Sequence, residues 1–405
     1  EEKEQESIFY LRRLYDNHGM TFLSKWRLND FQNATEKLPE VSYHLVGEPV
    51  VDEKDNLKWL ENLYFSSHSS AGQNRRRVST VDGEDTLNRT AWRADTDNQL
   101  NYPFTLGVLN LNPALGLRLT SYEESIFEKK ELTRVSGLAQ FNMATHFYRN
   151  YTTQSKWLEI NNLQHIITPR LEYLDIFGTT HSPDELIQFD EADTVNDVRV
   201  LRLGILNRLK TWRGEEKKRK AEEFLYFDLS LPFYPNENRD NEGKDFGNLD
   251  YRARWFITQK LALLSDGEYN FSAGKMDVFN IGMSYRFLPN SLLFLGNRYI
   301  REDSSIMTFS FNYDFSERWS LRLLEQYDFT NREFTEQKLV LTRYFHRFIV
   351  DFEFDRDEGE NNVGFKVALT TVDLEGTRKK KYEPQTIPTI ELLERMSRNE
   401  TEEDK

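Results

Sequence analysis

The stretch that decides the fold is "MTFSFNYDF", residues 307–315. Its odd positions hold Met, Phe, Phe, Tyr and Phe, and its even positions hold Thr, Ser, Asn and Asp. Successive side chains of a strand point to opposite faces of a sheet, so this stretch predicts a strand with one apolar and one polar face. The same alternation recurs in "LNLNPALGLRL" (109–119), "FNIGMSYRF" (279–287) and "VGFKVAL" (363–369). The pattern therefore predicts a sheet with two unlike faces.

Short connections separate these strands at intervals of about 29 residues. They are "ITQKL" (257–261), "FLPNSL" (287–292), "FSERWS" (315–320) and "YFHRF" (344–348). The opposite strand ends carry polar stretches that we interpret as longer loops, "YDFTNREFTEQ" (327–337) and "DRDEGENN" (355–362). Strands of roughly nine to eleven residues, with short turns at one end and longer loops at the other, are typical of outer-membrane barrels.

A soluble β-sandwich also shows alternation, so the two folds must be separated by side-chain type. The core of a sandwich mixes Val, Ile, Leu and Ala, whereas here aromatic residues gather at the strand ends. These residues are Trp255, Phe287, Tyr313, Phe315, Trp319, Tyr327, Phe329 and Phe345. Aromatic girdles at both interfaces mark a membrane barrel. We therefore predict an all-β fold, a large antiparallel outer-membrane transmembrane β-barrel, and keep the sandwich as the alternative.

The composition excludes several classes of function. The chain of 405 residues has 67 acidic and 53 basic residues and a net charge of -14, which argues against nucleic acid as a partner. It has no cysteine, which excludes disulfides and thiolate metal sites. The seven histidines show no metal-ligand spacing, and we find no catalytic set. We therefore expect no enzyme, no metal site and no cofactor.

The alternating pattern extends from about residue 5 to residue 371, with some eighteen or nineteen candidate strands. We assign residues 1–371 to the barrel and expect residues 372–405 to be a charged, disordered tail. The pattern is weak over 47–100, where we interpret residues 68–90 as a long loop, and over 177–196, an acidic loop. Residues 213–222 form a charged excursion between two strands.

Four motifs, in this order and spacing, resemble the barrel of the LptD family, the outer-membrane lipopolysaccharide assembly proteins. They are "LPEVSYHL" (38–45), "NLNPALGLRLTSY" (110–122), "RNYTTQSKWLEINNLQHIITPRLEYL" (149–174) and "VRVLRLGILNRLKTW" (198–212). The resemblance spans roughly residues 10–370. It implies insertion of lipopolysaccharide into the outer leaflet of the bacterial outer membrane, through a polar lumen and a lateral opening. A passive porin-like barrel is the alternative function.

The resemblance also implies partners and a larger protein. The partners are lipopolysaccharide, outer-membrane lipid, a plug lipoprotein of the transport system and a periplasmic bridge protein. Family members carry an N-terminal jellyroll domain and earlier barrel strands, and neither is recognisable here. The cysteines that often join the two domains are absent as well. We therefore expect this chain to be the later part of such a barrel.

Two groups of residues are candidates for a special role. Pro113 and Pro169 interrupt alternating strands; a proline donates no hydrogen bond to the ladder, so we expect each to mark a bulge or rim that bends the wall. Charged residues on the polar positions are candidate lumen-facing contacts for phosphorylated sugars, although a porin lumen is polar too. These residues are Arg118, Arg170, Glu172, Arg202, Arg208, Arg252 and Arg254.

Overall fold

The computed structural model describes residues 6–28, 33–51, 60–78, 89–126, 130–214, 219–357 and 362–371. In these ranges, 21 strands belong to one sheet, and the neighbouring strands pair antiparallel. The helical elements with described bounds are a 3-10 turn at Pro183–Glu185 and a single helical turn, α1, at Glu237–Asp240. No helix in the described ranges has the length and apolarity to span a membrane. The predicted all-β fold is confirmed, and the predicted tail, 372–405, lies outside the described residues.

The strands follow one another along the chain. The first eleven are β1 (Glu6–Tyr15), β2 (His18–Arg27), β3 (Ala34–Pro49), β4 (Tyr64–Arg77), β5 (Arg89–Asn101), β6 (Phe104–Leu106), β7 (Leu109–Tyr122), β8 (Leu132–Thr145), β9 (Phe147–Ser155), β10 (Ile160–Phe177) and β11 (Val198–Arg213). The other ten are β12 (Lys220–Phe233), β13 (Leu249–Phe256), β14 (Leu261–Asn270), β15 (Lys275–Tyr285), β16 (Ser291–Ile300), β17 (Ser304–Ser316), β18 (Trp319–Asp328), β19 (Glu333–Tyr344), β20 (Phe348–Asp357) and β21 (Asn362–Thr371).

The chain divides into two compact units. The first unit comprises Glu1–His146, Pro169–Gly204 and Leu231–Gly247, and the second comprises the remaining residues. In the first unit β1 to β5 pair in chain order, β7 pairs with both β5 and β6, and β8 pairs with β7. In the second unit β12 to β21 also pair in chain order. Each unit is thus an antiparallel meander.

The predicted short turns of the second unit are confirmed. Residues 257–260, 286–290, 317–318 and 345–347 join consecutive strands. The predicted long loop at 327–337 is wrong, because β18 and β19 continue into it and leave only 329–332 between them. Tyr327 lies opposite Phe334 with ring centroids 5.1 Å apart, and this aromatic pair extends the ladder.

The prediction of a long loop over 68–90 is also wrong, because both ends of this range belong to strands. Residues up to Arg77 belong to β4, and β5 starts at Arg89. These strands pair through polar side chains, since Ser67 donates to Asn98 and Ser69 bonds Thr96, each at 2.8 Å. The alternation of apolar and polar residues is therefore missing, although the strand pairing is regular.

In a soluble protein the apolar face of a sheet is buried and the polar face is exposed. In this sheet the apolar face is exposed and the polar face is buried. On β7, Leu115 and Leu117 are 64% and 47% exposed, whereas Thr120 is 1% exposed. On β15 and β17 the same contrast holds, since Ser284 and Thr308 are buried while Ile281 is exposed. An exposed apolar face and a buried polar face suit a sheet whose outer surface meets lipid.

Candidate functional site

The polar face of the first unit carries a chain of charged groups that begins at Asp95 on β5. Arg118, on the neighbouring strand β7, donates through Nε and Nη2 to the two Asp95 oxygens at 2.9 and 2.8 Å. The Thr120 hydroxyl donates to the same carboxylate at 2.7 Å. Arg118 is one of the sequence-predicted lumen contacts, and here its guanidinium forms a bidentate pair with Asp95.

A second arginine, Arg93, binds the segment between β10 and β11. We call residues 178–197 the inward segment, because its side chains contact the polar face of the strands. Arg93 donates to both oxygens of Asp190, at 2.6 and 2.7 Å. It also donates to both oxygens of Asp193, at 2.8 and 2.9 Å. One guanidinium on β5 therefore binds two carboxylates of the inward segment.

Asp193 is the centre of this ionic cluster and is fully buried. Besides Arg93, the Tyr122 hydroxyl donates to it, and the Phe189 and Asp190 amides donate to it at 2.7 and 3.0 Å. Arg134 of β8 is also buried and donates to the Asp193 carbonyl at 3.0 Å. The buried charge is thus paired and hydrogen-bonded, as a buried charge has to be.

Apolar contacts accompany the ionic cluster. Leu186, Ile187 and Phe189 of the inward segment are buried, and Ile187 and Phe189 form an apolar cluster with Ala91 of β5. Thr35 of β3 donates to the Phe189 carbonyl at 2.8 Å. The inward segment therefore packs against the polar face by both apolar and ionic contacts.

Asp190 of the inward segment stays ionised at neutral pH. Burial acts to raise the pKa of its carboxyl, but the hydrogen bond and charge of Arg93 and the charge of Lys37 outweigh burial and lower the pKa to about 2. The Lys37 ammonium lies 3.4 Å from this carboxylate. The pair with Arg93 is therefore fully charged at physiological pH.

Three of the predicted lumen residues meet on β10 and β11. Glu172 lies 3.6 Å from Arg170 and 3.7 Å from Arg202, at the long end of the ion-pair range. The Arg202 side chain is 47% exposed, in contrast to the buried Arg93. The pair of Arg202 with Glu172 is long and exposed, and such a pair can exchange partners at small cost.

The other predicted arginines lie in the second unit. Arg208 and Arg254 share Glu223, at 3.1 and 3.7 Å, and the Arg254 guanidinium lies 4.0 Å from the centre of the Tyr226 ring. Arg252 is exposed, and its direct cross-strand neighbours are Asp228 and Asp266. Within the second unit, two of the three predicted arginines therefore share one carboxylate.

Both prolines lie where a ladder is interrupted. Pro113 faces the gap between β5 and β6, and its carbonyl accepts a hydrogen bond from the Tyr102 amide at 3.0 Å. Pro169 follows the part of β10 that pairs with β9, up to Ile167, and precedes the part that pairs with β8, from Arg170. That these breaks bend the wall stays a prediction.

Sequence reasoning missed the residues of the ionic cluster around Asp193. Arg93, Tyr122, Arg134, Asp190 and Asp193 were not candidates. A weak signal was present in "RADTD" (93–97), where charged residues occupy alternate positions of a strand. In the described part of the chain, no group of three or more His, Cys, Asp or Glu residues is placed to hold a metal ion.

An antiparallel meander with an apolar exposed face and a buried, charged polar face defines the class: a transmembrane β-barrel protein of the outer membrane. Comparison with protein-family models then gives the family. The model of LptD, "LPS transport system D", matches residues 18–319, more than half of the chain. The chain belongs to the LptD family, so it is an outer-membrane barrel protein of lipopolysaccharide transport.

Comparisons with individual proteins give less information on this chain than the family model does. None of the curated proteins matches the chain. Among solved structures, FyuA, the ferric yersiniabactin uptake receptor of Yersinia pestis, matches with 9% identity and a TM-score of 0.28, over 90% of this chain and 69% of FyuA. FpvA of P. aeruginosa, bound to heterologous pyoverdines, matches with 8% identity and a TM-score of 0.29, over 89% of this chain and 62% of FpvA.

Proposed function

We propose that this chain forms the wall of the route by which lipopolysaccharide enters the outer leaflet. The sugar part would move along the polar face, and the acyl chains would leave sideways through a lateral opening in the barrel. Membership of the LptD family supports this proposal, as does the contrast between the two faces of the sheet. A plug lipoprotein and a periplasmic bridge protein that delivers the lipid would be the partners.

The observation that carries the proposal is the loosely paired group Arg170, Glu172 and Arg202 on the polar face. Guanidinium groups bind phosphate through two parallel hydrogen bonds, and the phosphorylated sugars of lipopolysaccharide offer such acceptors. Because the Arg202 side chain is 47% exposed and lies 3.7 Å from its carboxylate partner, the exposed part of its guanidinium could bind a passing phosphate while Glu172 stays in place. No chemical bond changes in this process, so the protein would be a transporter and not an enzyme.

A photo-crosslinking side chain at Arg202, compared with one at Leu203, tests the proposal in living cells. These neighbours point to opposite faces of β11, and Leu203 is 47% exposed on the apolar face. We expect adducts with lipopolysaccharide at both positions during growth. When the supply of new lipopolysaccharide is blocked, the adduct at position 202 should disappear, while the adduct at 203 with lipid already in the outer leaflet should persist.

The control therefore lies in the difference between the two positions. Absence of any lipopolysaccharide adduct at 202, or an adduct there that survives the block unchanged, would contradict the proposed route. That outcome is the one expected of a passive porin-like barrel, whose lumen passes small solutes and not the lipid.

A further inference from the structure

We propose that a cavity beside Arg170 and Glu172 is a binding site for an uncharged sugar ring. The cavity has a volume of about 500 Å³ and lies within the first unit. Its walls include Phe104, Leu111, Asn112, Asn142, Arg170 and Glu172. The volume falls within the roughly 300–1,000 Å³ of small-molecule sites. This inference rests on the proposed function and specifies one step of the sugar's path.

Strand register places the polar groups of the cavity in a row. Asn112 of β7 lies directly opposite Asn142 of β8, and Asn142 lies directly opposite Glu172 of β10. Side chains at directly opposite positions have Cβ atoms about 4.5–5.5 Å apart. Two carboxamides and one carboxylate are therefore presented side by side, at spacings that neighbouring hydroxyls of a sugar can bridge.

The hydrogen-bonding character of this row fits hydroxyl groups. A hydroxyl both donates and accepts, and so does a carboxamide, whereas the Arg170 guanidinium only donates and a carboxylate such as that of Glu172 only accepts. The Asn112 Oδ1 atom is buried and has no hydrogen-bond partner among the described residues. A ligand hydroxyl would supply the donor that this oxygen lacks.

Apolar residues also line the cavity. Phe104 of β6 lies opposite Leu111 of β7, and Leu111 lies opposite Met143 of β8. Leu111 is buried although it lies on a strand with exposed leucines. Leu111 directly precedes Asn112, so its side chain starts from the other face of the sheet, and the polar row provides the contacts for a ligand.

Charge separates an uncharged sugar from a phosphate as the ligand of this cavity. The Arg170 guanidinium lies 3.6 Å from the Glu172 carboxylate, so the two charges in the wall offset each other. A phosphate would gain from Arg170 but would also meet the negative Glu172. An uncharged polyol avoids this repulsion and can bond to both groups.

Ligand titration of the purified full chain in detergent, followed by NMR saturation transfer, tests this site. The probe is the lipid-free, dephosphorylated oligosaccharide of the cell's own lipopolysaccharide, and inorganic phosphate is the competitor. Binding should weaken about tenfold in Asn112→Leu and in Asn142→Leu, because each loses hydrogen bonds worth roughly that factor. The matched control Asn312→Leu, on the polar face of β17, should bind as the natural chain does.

Three outcomes would overturn the site: no binding of the oligosaccharide by the natural chain, equal binding by the two asparagine variants, or displacement of the oligosaccharide by phosphate. If one variant fails to fold, the other carries the test. The adduct at position 202 separates the two proposals. A transport-dependent adduct together with absent oligosaccharide binding refutes only the sugar site, whereas loss of that adduct refutes the proposed function.

Discussion

Replacing Asp193 with alanine should destabilise the folded protein by about 3–5 kcal/mol, the usual cost of removing one partner from a buried ion pair. Asp193 is fully buried and accepts hydrogen bonds from Arg93, Tyr122 and two backbone amides. Without the carboxylate, the buried Arg93 would keep its charge but lose one of its two partners. The inward segment would also lose the acceptor that orders its own backbone.

The midpoint of denaturant unfolding in detergent micelles measures this effect. Asp184→Ala is the matched control, because Asp184 belongs to the same segment but is exposed. Its effect should stay within about 0.5 kcal/mol. If Asp193→Ala and Asp184→Ala unfold at the same denaturant concentration, the ionic cluster does not hold the inward segment in place.

Replacing Phe311 with arginine should cost about 2–4 kcal/mol, the penalty for a cation on the lipid face of a barrel near the bilayer midplane. Phe311 of β17 lies opposite Leu293 and Leu323, and its ring stacks on that of Phe287 with centroids 6.0 Å apart. The same row continues to Leu339, which is exposed. An arginine there would place its charge among apolar side chains that face lipid.

Ser310→Arg is the matched comparison, because its side chain starts from the other face of the same strand. There the charge can reach the polar side of the sheet, and we expect the variant to assemble. The measurement is the amount of folded protein in the outer membrane, seen as the heat-modifiable band on a gel. Equal assembly of the two variants would mean that the odd residues of β17 do not face lipid.

The sequence alone was sufficient to predict the strands where apolar and polar residues alternate strictly. In β17 the apolar and polar residues of 307–315 alternate without exception, and the pattern predicted both the strand and its faces. The turns of the second unit followed from the same periodicity. In β4 and β5 periodicity failed as a signal, because polar side chains on these strands bond one another across the ladder and leave no apolar stripe to detect.

The sequence predicted only those residues of the candidate site whose position depends on the alternation of side chains between the two faces of a strand. The positions of Arg170, Glu172 and Arg202 on one face follow from counting residues along two strands. The contact of Arg93 with Asp190 joins residues 97 positions apart and depends on how a loop folds back over the strands. Periodicity carries no information about such a contact, so the acidic segment could be predicted as a loop but not as part of the polar face.

Delivery of newly made lipopolysaccharide to the cell surface, measured by pulse labelling after depletion of this protein from its own cells, tests the central claim most directly. We expect labelled lipopolysaccharide to be synthesised at the normal rate but to stop reaching the outer leaflet, while other barrels already in the membrane continue to admit small solutes. If surface delivery continues at its normal rate without the protein and only the uptake of small solutes falls, the protein is a passive channel and does not transport lipopolysaccharide.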